Sequence, residues 1–205
     1  VVILYAILIE PNLISTEAIS ISDDDLARIF QGKKVVHISD LHITSVGYHE
    51  KRLIQVLNRI NPDLLFITGD FLTNGVDENL CIELLRQVKM PKLGIWAVLG
   101  NADRYKNDES NQKINTFTER LRDLGIKVLR NTSEALFLDN HGEHVYIIGV
   151  EGRYLSRSKL NWLLKGIPKS ATVIMLSHYP DILDNHADSL VVNLEEAEGK
   201  GVKGW

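Results

Sequence analysis

The chain has 205 residues, with 27 acidic and 23 basic side chains and a formal net charge of −4. Hydrophobic residues make up 44% of it and charged residues 24%, which excludes an intrinsically disordered chain. The mild acidity argues against a nucleic-acid-binding protein. A single cysteine, Cys81, excludes an internal disulfide and a cysteine-rich zinc module, and we expect this thiol to be buried in a helix.

Nine apolar residues, VVILYAILI, open the chain and are followed by Glu10 and Pro11. A membrane-spanning helix needs about 20 apolar residues, so this run alone is too short to cross a bilayer. Periodicity leaves two structures open, the end of an anchor helix and a short buried strand. The absence of a leading Met favours the anchor. That choice predicts a membrane-associated protein, with residues 1–16 as a separate segment and 17–205 as one domain; a buried strand predicts a cytoplasmic protein instead.

Strand patterns and helix patterns alternate along the remaining chain. In chain order, the predicted elements are a strand at 34–39, a helix at 51–60, a strand at 64–68, a helix at 79–88, a strand at 95–99, a helix at 114–124, a strand at 145–150, a helix at 158–164 and a strand at 172–177. This alternation predicts an α/β fold with parallel pairing in the core of the sheet.

Polar residues of similar chemistry follow four of the predicted strands. In chain order they are Asp40 with His42, Asp70, Asn101 with Asp103, and His178. Because the carboxyl ends of parallel strands meet at one edge of a sheet, we expect these side chains to lie close together. Oxygen and imidazole ligands suit a divalent cation such as Mn, Fe, Zn or Mg. A single Asp or Asn after a glycine more often belongs to a turn, so the four blocks together carry the prediction.

Each block has a physical reason for its spacing. Asp40 and His42 are two residues apart, so on an extended strand end both side chains would point the same way. The glycine before Asp70 and the glycine before Asn101 would let the backbone turn sharply. The two oxygens of Asp70 could then bridge a pair of cations, whereas Asn101 would add a neutral oxygen ligand.

These blocks, in this order, resemble the calcineurin-like metallophosphoesterases. The segment from Glu10-Pro11 to Asp40-Leu41-His42 is most similar to the membrane-anchored bacterial branch, which includes enzymes acting on phospholipids and on UDP-diacylglucosamine. The resemblance implies a four-layer sandwich, in which two mostly parallel or mixed β-sheets are flanked by helices. It also implies an enzyme that hydrolyses phosphoester or pyrophosphate bonds with a metal-activated water, on a lipid-linked or nucleotide-linked substrate.

The same resemblance assigns roles to the residues of the four blocks. The implied metal ligands, for two divalent ions, are Asp40, His42, Asp70, Asn101 and His178. The first block would hold one ion, the third and fourth blocks the other, and Asp70 would bridge them. The implied catalytic residues are Asp70, Asn101 and Asp103. The expected partner is a phosphorylated small molecule or lipid, with possible membrane contact through the N-terminus and no nucleic acid.

Two departures from the family pattern favour a second hypothesis. Ala102 stands where the family has a histidine whose acid–base contribution is typically about 10²–10⁴-fold. The family's closing Gly-His-x-His block is missing after the strand expected at 189–194, and residues 199–205 resemble no element of the fold. Truncation, frameshift or divergence would each explain this C-terminus. The alternative is a degraded relative that binds metal or a phosphorylated ligand without efficient turnover.

The remaining histidines have more ordinary interpretations. His37 is expected to be a satisfied core residue, and His49 to open a helix near the first block, where it could face a phosphate. His141 and His144 are expected in a turn between two strands. His186 is expected to cap or pack a short helix. After the altered motif, residues 104 and 105 could contact the substrate or form a solvated turn.

Overall fold

The computed structural model describes residues 14–20, 23–73, 77–104, 111–138, 144–182 and 202–204. The first half of the chain builds an all-parallel sheet in the order β1-β2-β3-β4. Its strands are β1 (Val35–Ile38), β2 (Leu64–Thr68), β3 (Ile95–Val98) and β4 (Ile126–Val128). The helices of this half are α1 (Asp24–Ile29), α2 (Tyr48–Ile60), α3 (Glu78–Leu85) and α4 (Gln112–Asp123).

The second half builds a mixed sheet in the order β5-β6-β7-β8, in which only the β5–β6 pair is antiparallel. Its strands are β5 (Thr132–Phe137), β6 (His144–Val150), β7 (Val173–Ser177) and β8 (Val202–Gly204). Helix α5 (Arg157–Leu163) connects β6 to β7, and a short 3-10 helix (Pro180–Ile182) follows β7.

Three apolar clusters divide the fold into four layers. Leu65 and Ile67 of β2 pack towards α2, α3 and α4, whereas Leu64 and Phe66 face the second sheet. The outer face of the second sheet packs against α5 through a third cluster, which includes Leu160. Because β2 and β3 are buried on both faces, they carry continuous apolar runs. The predicted four-layer α/β sandwich is confirmed.

All nine elements of the alternating pattern are present, and the sequence missed four more, α1, β4, β5 and β8. Helix α1 is only six residues long and begins at the N-cap Asp23, whose Oδ1 accepts from the Leu26 amide at 2.9 Å. Strand β4 has three residues, too few for a periodic pattern. Strand β5 alternates exposed and less exposed residues, and its polar half hides the strand pattern. Cys81 lies buried in α3 as expected, and burial raises the pKa of its thiol.

The expectation that residues 199–205 belong to no element is wrong. Strand β8 lies within this range and pairs in parallel with β7. Its backbone covers the edge of β7. Because the hydrogen bonds between strands join backbone groups, such a strand can form without a recognisable side-chain pattern.

Among the described helices, none has the length and apolar character that a bilayer crossing requires. The apolar residues 1–9 lie outside the described residues. The anchor hypothesis and the boundary at residue 16 therefore stay predictions.

Candidate metal centre

The first predicted ligand pair lies just beyond β1. The backbones of Asp40 and His42 are both left-handed, with φ of 55° and 41°. The prediction that strand alternation aligns these side chains is wrong, because β1 already ends at Ile38. Backbone pairing places them instead. The Asp40 amide donates to the Gly69 carbonyl at 3.1 Å and the His42 amide to the Asp70 carbonyl at 2.9 Å, so this loop runs alongside the loop after β2.

The Asp70 carboxylate lies between two imidazoles. Its side chain is 5% exposed, with Oδ2 3.4 Å from His42 Nε2 and Oδ1 3.5 Å from His178 Nε2. His42 Nε2 also lies 3.7 Å from Asp40 Oδ1. The ligand atoms of Asp40, His42 and Asp70 all lie within 4.8 Å of one another. Each oxygen of Asp70 thus faces a different imidazole, as a ligand that bridges two cations requires.

His178 brings the second sheet to the site, directly after β7. Its Nδ1 lies 2.8 Å from the Thr68 carbonyl, which can only accept, so Nδ1 carries the proton. In the neutral ring, Nε2 then presents a lone pair, 3.2 Å from Asn101 Oδ1 and 3.5 Å from Asp70 Oδ1. A nitrogen lone pair facing two oxygen acceptors fits a site for a cation, oriented by an outer hydrogen bond. The residues present therefore suit divalent metals.

Two glycines allow the loops after β2 and β3 to touch. Gly69 has φ of 87°, which confirms the predicted sharp turn, and a Cβ there would lie 2.6 Å from the Gly100 nitrogen. Gly100 has no positive φ, so the sharp turn predicted there is wrong. A Cβ at Gly100 would instead overlap the Asp70 carboxylate. Its small size allows the close approach of the second loop to Asp70.

Asp103 connects the loop after β2 to the loop after β3. Its side chain is buried, and Oδ1 accepts from the Leu72 amide at 3.0 Å while Oδ2 accepts from the Gly100 amide at 2.8 Å. Burial, with the Asp70 charge acting in the same direction, raises the pKa of the Asp103 carboxyl to about 6 despite these donors. Both oxygens of Asp103 are directed at backbone amides, which suits a positioning residue better than a catalytic one.

We expect Asp103→Ala to lower the free energy of unfolding by about 2 kcal/mol, because two buried amides lose their acceptor. Its metal affinity should fall by about tenfold, since the loops that carry Asp70 and Asn101 lose their connection. Urea denaturation and metal titration measure the two effects. Asp77→Ala is the matched control, because Asp77 also accepts a backbone amide, that of Asn79, but at an exposed helix cap. Unchanged metal affinity in Asp103→Ala would contradict the positioning role.

Three other residues singled out in the sequence lie on the elements around the site. The Ala102 amide donates to Asp70 Oδ1 at 2.8 Å, so position 102 borders the bridging carboxylate. His49 is the second residue of α2, and its Nδ1 is enclosed without a hydrogen-bond partner in the described part of the chain. His37 Nε2 contacts Thr68 Oγ1 at 2.6 Å. It is satisfied as predicted, but it is solvent-exposed on an edge strand and not a core residue.

Several predicted positions cannot be placed. Residues 105, 141, 186 and 189–194 lie outside the described residues. His144 is the first residue of β6, and the preceding residues 139–143 lie outside the described residues.

Sequence reasoning missed three residues that shape the site, Thr68, Tyr179 and Arg153. The Thr68 carbonyl accepts from both His178 Nδ1 and Ser39 Oγ, and a backbone group has no sequence pattern. The centroid of the Tyr179 ring lies 5.1 Å from that of the His178 imidazole. The Arg153 guanidinium lies over the Tyr179 ring, 5.3 Å from its centroid. Both follow strand ends, the same position that identified the ligands.

The fold and the site define a class: an α/β sandwich with carboxylate, amide and imidazole groups collected at strand ends, as a metal-dependent hydrolase requires. Residues 33–202 match the model of the calcineurin-like phosphoesterase family, and the chain belongs to this family. The family recognised from the sequence is therefore confirmed, and it is one that uses divalent metals.

The chain is similar to several curated proteins of the family. It is 27% identical over 181 residues to a transmembrane protein with metallophosphoesterase domain from Danio rerio, covering 83% of this chain and 39% of the relative. It is 29% identical over 141 residues to the UDP-2,3-diacylglucosamine pyrophosphatase LpxG of Chlamydia muridarum, covering 66% and 43%. An uncharacterized metallophosphoesterase of Aquifex aeolicus is 31% identical over 160 residues, covering 73% and 56%. The chain thus spans about half the length of these relatives.

Among solved structures, the fold is similar to that of phosphopantetheinyl hydrolase (PptH) from Mycobacterium tuberculosis. The TM-score is 0.50 at 13% sequence identity, over 84% of this chain and 77% of that one. At this identity the likeness concerns the fold alone.

Proposed function

We propose that the chain is a metal-dependent hydrolase of phosphoester or pyrophosphate bonds. The single observation that carries this proposal is the position of Asp70, whose two oxygens each face a different imidazole, those of His42 and His178. A carboxylate in that position suits a pair of divalent cations, and paired cations are typical of phosphoester hydrolysis.

The proposed ligands of one cation are Asp40, His42 and Asp70, and those of the other are Asp70, Asn101 and His178. When bound, such cations polarise a phosphoryl group and lower the pKa of a water molecule. The chain's own groups orient these ligands. The Thr68 carbonyl fixes the proton of His178 on Nδ1, and the Ala102 amide holds Asp70 Oδ1. Among Mn, Fe, Zn and Mg, we propose Mn for the first trials, since mixed oxygen and imidazole ligands suit it.

We propose a lipid-linked or nucleotide-linked phosphate as the substrate class. The support is the likeness to LpxG, whose name describes a pyrophosphatase of UDP-2,3-diacylglucosamine. Because the chain spans less than half of that relative, the substrate stays a proposal.

The test is hydrolysis of nitrophenyl phosphate, bis(nitrophenyl) phosphate and a nucleoside diphosphate sugar, with added Mn²⁺ or with a chelator. We expect turnover that the chelator abolishes and that His42→Ala lowers by more than about tenfold. His144→Ala is the matched control, because it removes an imidazole from the start of β6 and leaves all proposed ligands intact. Turnover that persists with chelator would contradict the proposal.

A second function is favoured by one observation: the residue whose amide donates to Asp70 Oδ1 is Ala102, where the family pattern has a histidine. In this alternative, the chain is a degraded relative of the family's enzymes that binds metal or a phosphorylated ligand without efficient turnover. Stoichiometric Mn²⁺ binding together with no hydrolysis of any of the three substrates would support this alternative.

We also propose membrane contact through the apolar run at residues 1–9. Its support is the composition VVILYAILI and the transmembrane relative from Danio rerio. We expect the 205-residue chain to fractionate with membranes and a form lacking its first 15 residues to be released. The removed stretch contains no proposed ligand, so hydrolysis should be unchanged. Equal distribution of both forms in the soluble fraction would contradict the contact.

A further inference from the structure

A group of cationic side chains lies beside the His178 end of the site, apart from the proposed ligands. Gly152, with φ of 95°, turns the chain after β6 and is followed by Arg153. The Arg153 guanidinium carbon lies 5.3 Å from the centroid of the Tyr179 ring. The Tyr179 ring lies in turn 5.1 Å from the His178 imidazole, with an interplanar angle of 73°. Arg153 is therefore separated from the proposed ligand His178 by one aromatic ring.

The same rim contains a buried carboxylate that organises further cations. Glu151, with a 9% exposed side chain, accepts from Arg104 Nη2 at 2.9 Å and from Arg130 Nη2 at 3.1 Å. Lys159 Nζ donates to the Glu151 carbonyl at 3.0 Å. Three cationic side chains thus contact Glu151, and Arg153 follows it two residues later in the chain. Counting Asp181, two residues after Tyr179, the described part of this rim has four cationic and two acidic side chains, although the whole chain is acidic.

Two of these cations keep donors for a ligand. Arg130 is fully engaged, since its Nη1 donates to Asn115 Oδ1 at 2.6 Å besides the Glu151 contacts. Arg104 uses one nitrogen for Glu151, and its side chain stays 46% exposed. Arg153 is exposed and, among the described residues, its recorded contact is the Tyr179 ring and no carboxylate. Stacking on an aromatic face leaves the planar N–H edge of a guanidinium free for an anion.

The charge around the site is therefore uneven. The opposite end carries Asp40, whose recorded ion pair in the described part of the chain is with the proposed ligand His42 and not with an arginine or lysine. The His178 end carries Arg104, three residues after the proposed ligand Asn101, and Arg153. A substrate with one phosphoryl group at the proposed cation site would therefore direct a second one towards the two arginines.

We propose that Arg104 and Arg153 form an anion subsite for a second phosphoryl group, which makes pyrophosphate-linked compounds better substrates than phosphomonoesters. This inference rests on the proposed function for its catalytic consequence. The binding consequence does not depend on turnover. Arg153 is the more informative residue to change, because Arg104 also has an ion pair with Glu151.

The first experiment compares a nucleoside diphosphate sugar with nitrophenyl phosphate as substrates in Mn²⁺. We expect Arg153→Ala to raise KM for the diphosphate sugar about tenfold, with kcat within twofold and KM for nitrophenyl phosphate unchanged. Arg153→Lys should recover part of the loss, since it keeps the charge but not the planar fork. Arg59→Ala, an exposed arginine on α2, is the matched control and should change neither KM. Equal effects of Arg153→Ala on both substrates would overturn the subsite.

The second experiment measures binding without turnover. A nucleoside α,β-methylene diphosphate is titrated by calorimetry into the Mn²⁺-loaded chain and into Arg153→Ala and Arg59→Ala. We expect Arg153→Ala alone to weaken binding by about tenfold. If binding follows this pattern but no substrate is hydrolysed, the proposed function fails and the subsite stands. If the unmodified chain does not bind the analogue, or Arg153→Ala binds it as tightly, the subsite is wrong.

Discussion

Replacing Asp70 by alanine is expected to remove bound metal more completely than replacing any other proposed ligand. Its two oxygens lie 3.4 Å and 3.5 Å from the Nε2 atoms of His42 and His178. Loss of Asp70 therefore affects both cation positions, whereas His42→Ala and His178→Ala each affect one. We expect Asp70→Ala to lower metal affinity by more than about a hundredfold, beyond the loss seen when an outer hydrogen bond to a ligand is removed.

Metal analysis of the purified variants, after equilibration with equal Mn²⁺ and gel filtration, measures the effect. Asp70→Asn tests the contribution of the negative charge separately from that of side-chain size. The amide removes the charge and keeps one oxygen ligand in a side chain of the same size. Asp25→Ala is the control for a lost carboxylate, since Asp25 is exposed on α1. Equal metal content in Asp70→Ala, His42→Ala and His178→Ala would exclude the bridging role.

The second large effect is expected from Ala102→His. The Ala102 amide nitrogen lies 2.8 Å from Asp70 Oδ1, so an imidazole on this residue would border the phosphoryl group that the cations hold. A proton donor in that position typically contributes at least about 10²-fold, and we expect kcat for bis(nitrophenyl) phosphate to rise by that factor at saturating Mn²⁺. The gain should shrink as Mn²⁺ is lowered, because the histidine acts only on an oxygen that the cations polarise.

A double-mutant cycle tests this dependence on metal. Ala102→His should gain nothing in the Asp70→Ala background, whereas the two changes would be independent if the imidazole acted without the cations. Ala102→Gln controls for the added side-chain volume, since it supplies a donor that does not titrate. A gain from Ala102→Gln as large as that from Ala102→His would contradict an acid–base role.

The layers of the fold could be predicted because its elements follow simple periodic rules. The continuous apolar run of β2 and the helical spacing within α2 are long enough to identify those elements without tertiary information. The elements that the sequence missed are short, such as β4, or half polar, such as β5. Strand β8 forms by pairing with the edge of β7. Because this edge exists only in the assembled sheet, β8 could not be predicted from its own sequence.

The sequence predicted which side chains meet at the strand ends but not the geometry by which they meet. Asp40 and His42 converge as expected, although through left-handed turns and backbone pairing with the next loop. Contacts between loops distant in sequence could not be predicted from the sequence, above all those of Asp103 with the Leu72 and Gly100 amides. Their partners are backbone groups, and every residue type offers these alike.

The contact between His178 and the Thr68 carbonyl has a consequence for how the molecule unfolds. It joins residues 110 positions apart, Thr68 at the end of β2 and His178 directly after β7, and both belong to the same candidate centre. A cation held by Asp70 and His178 would act as a crosslink between the two halves of the sandwich. Because only the folded chain brings those ligands together, metal binding adds to the stability of both halves at once. The two sheets would then melt as one cooperative unit, at a temperature set by the concentration of free metal.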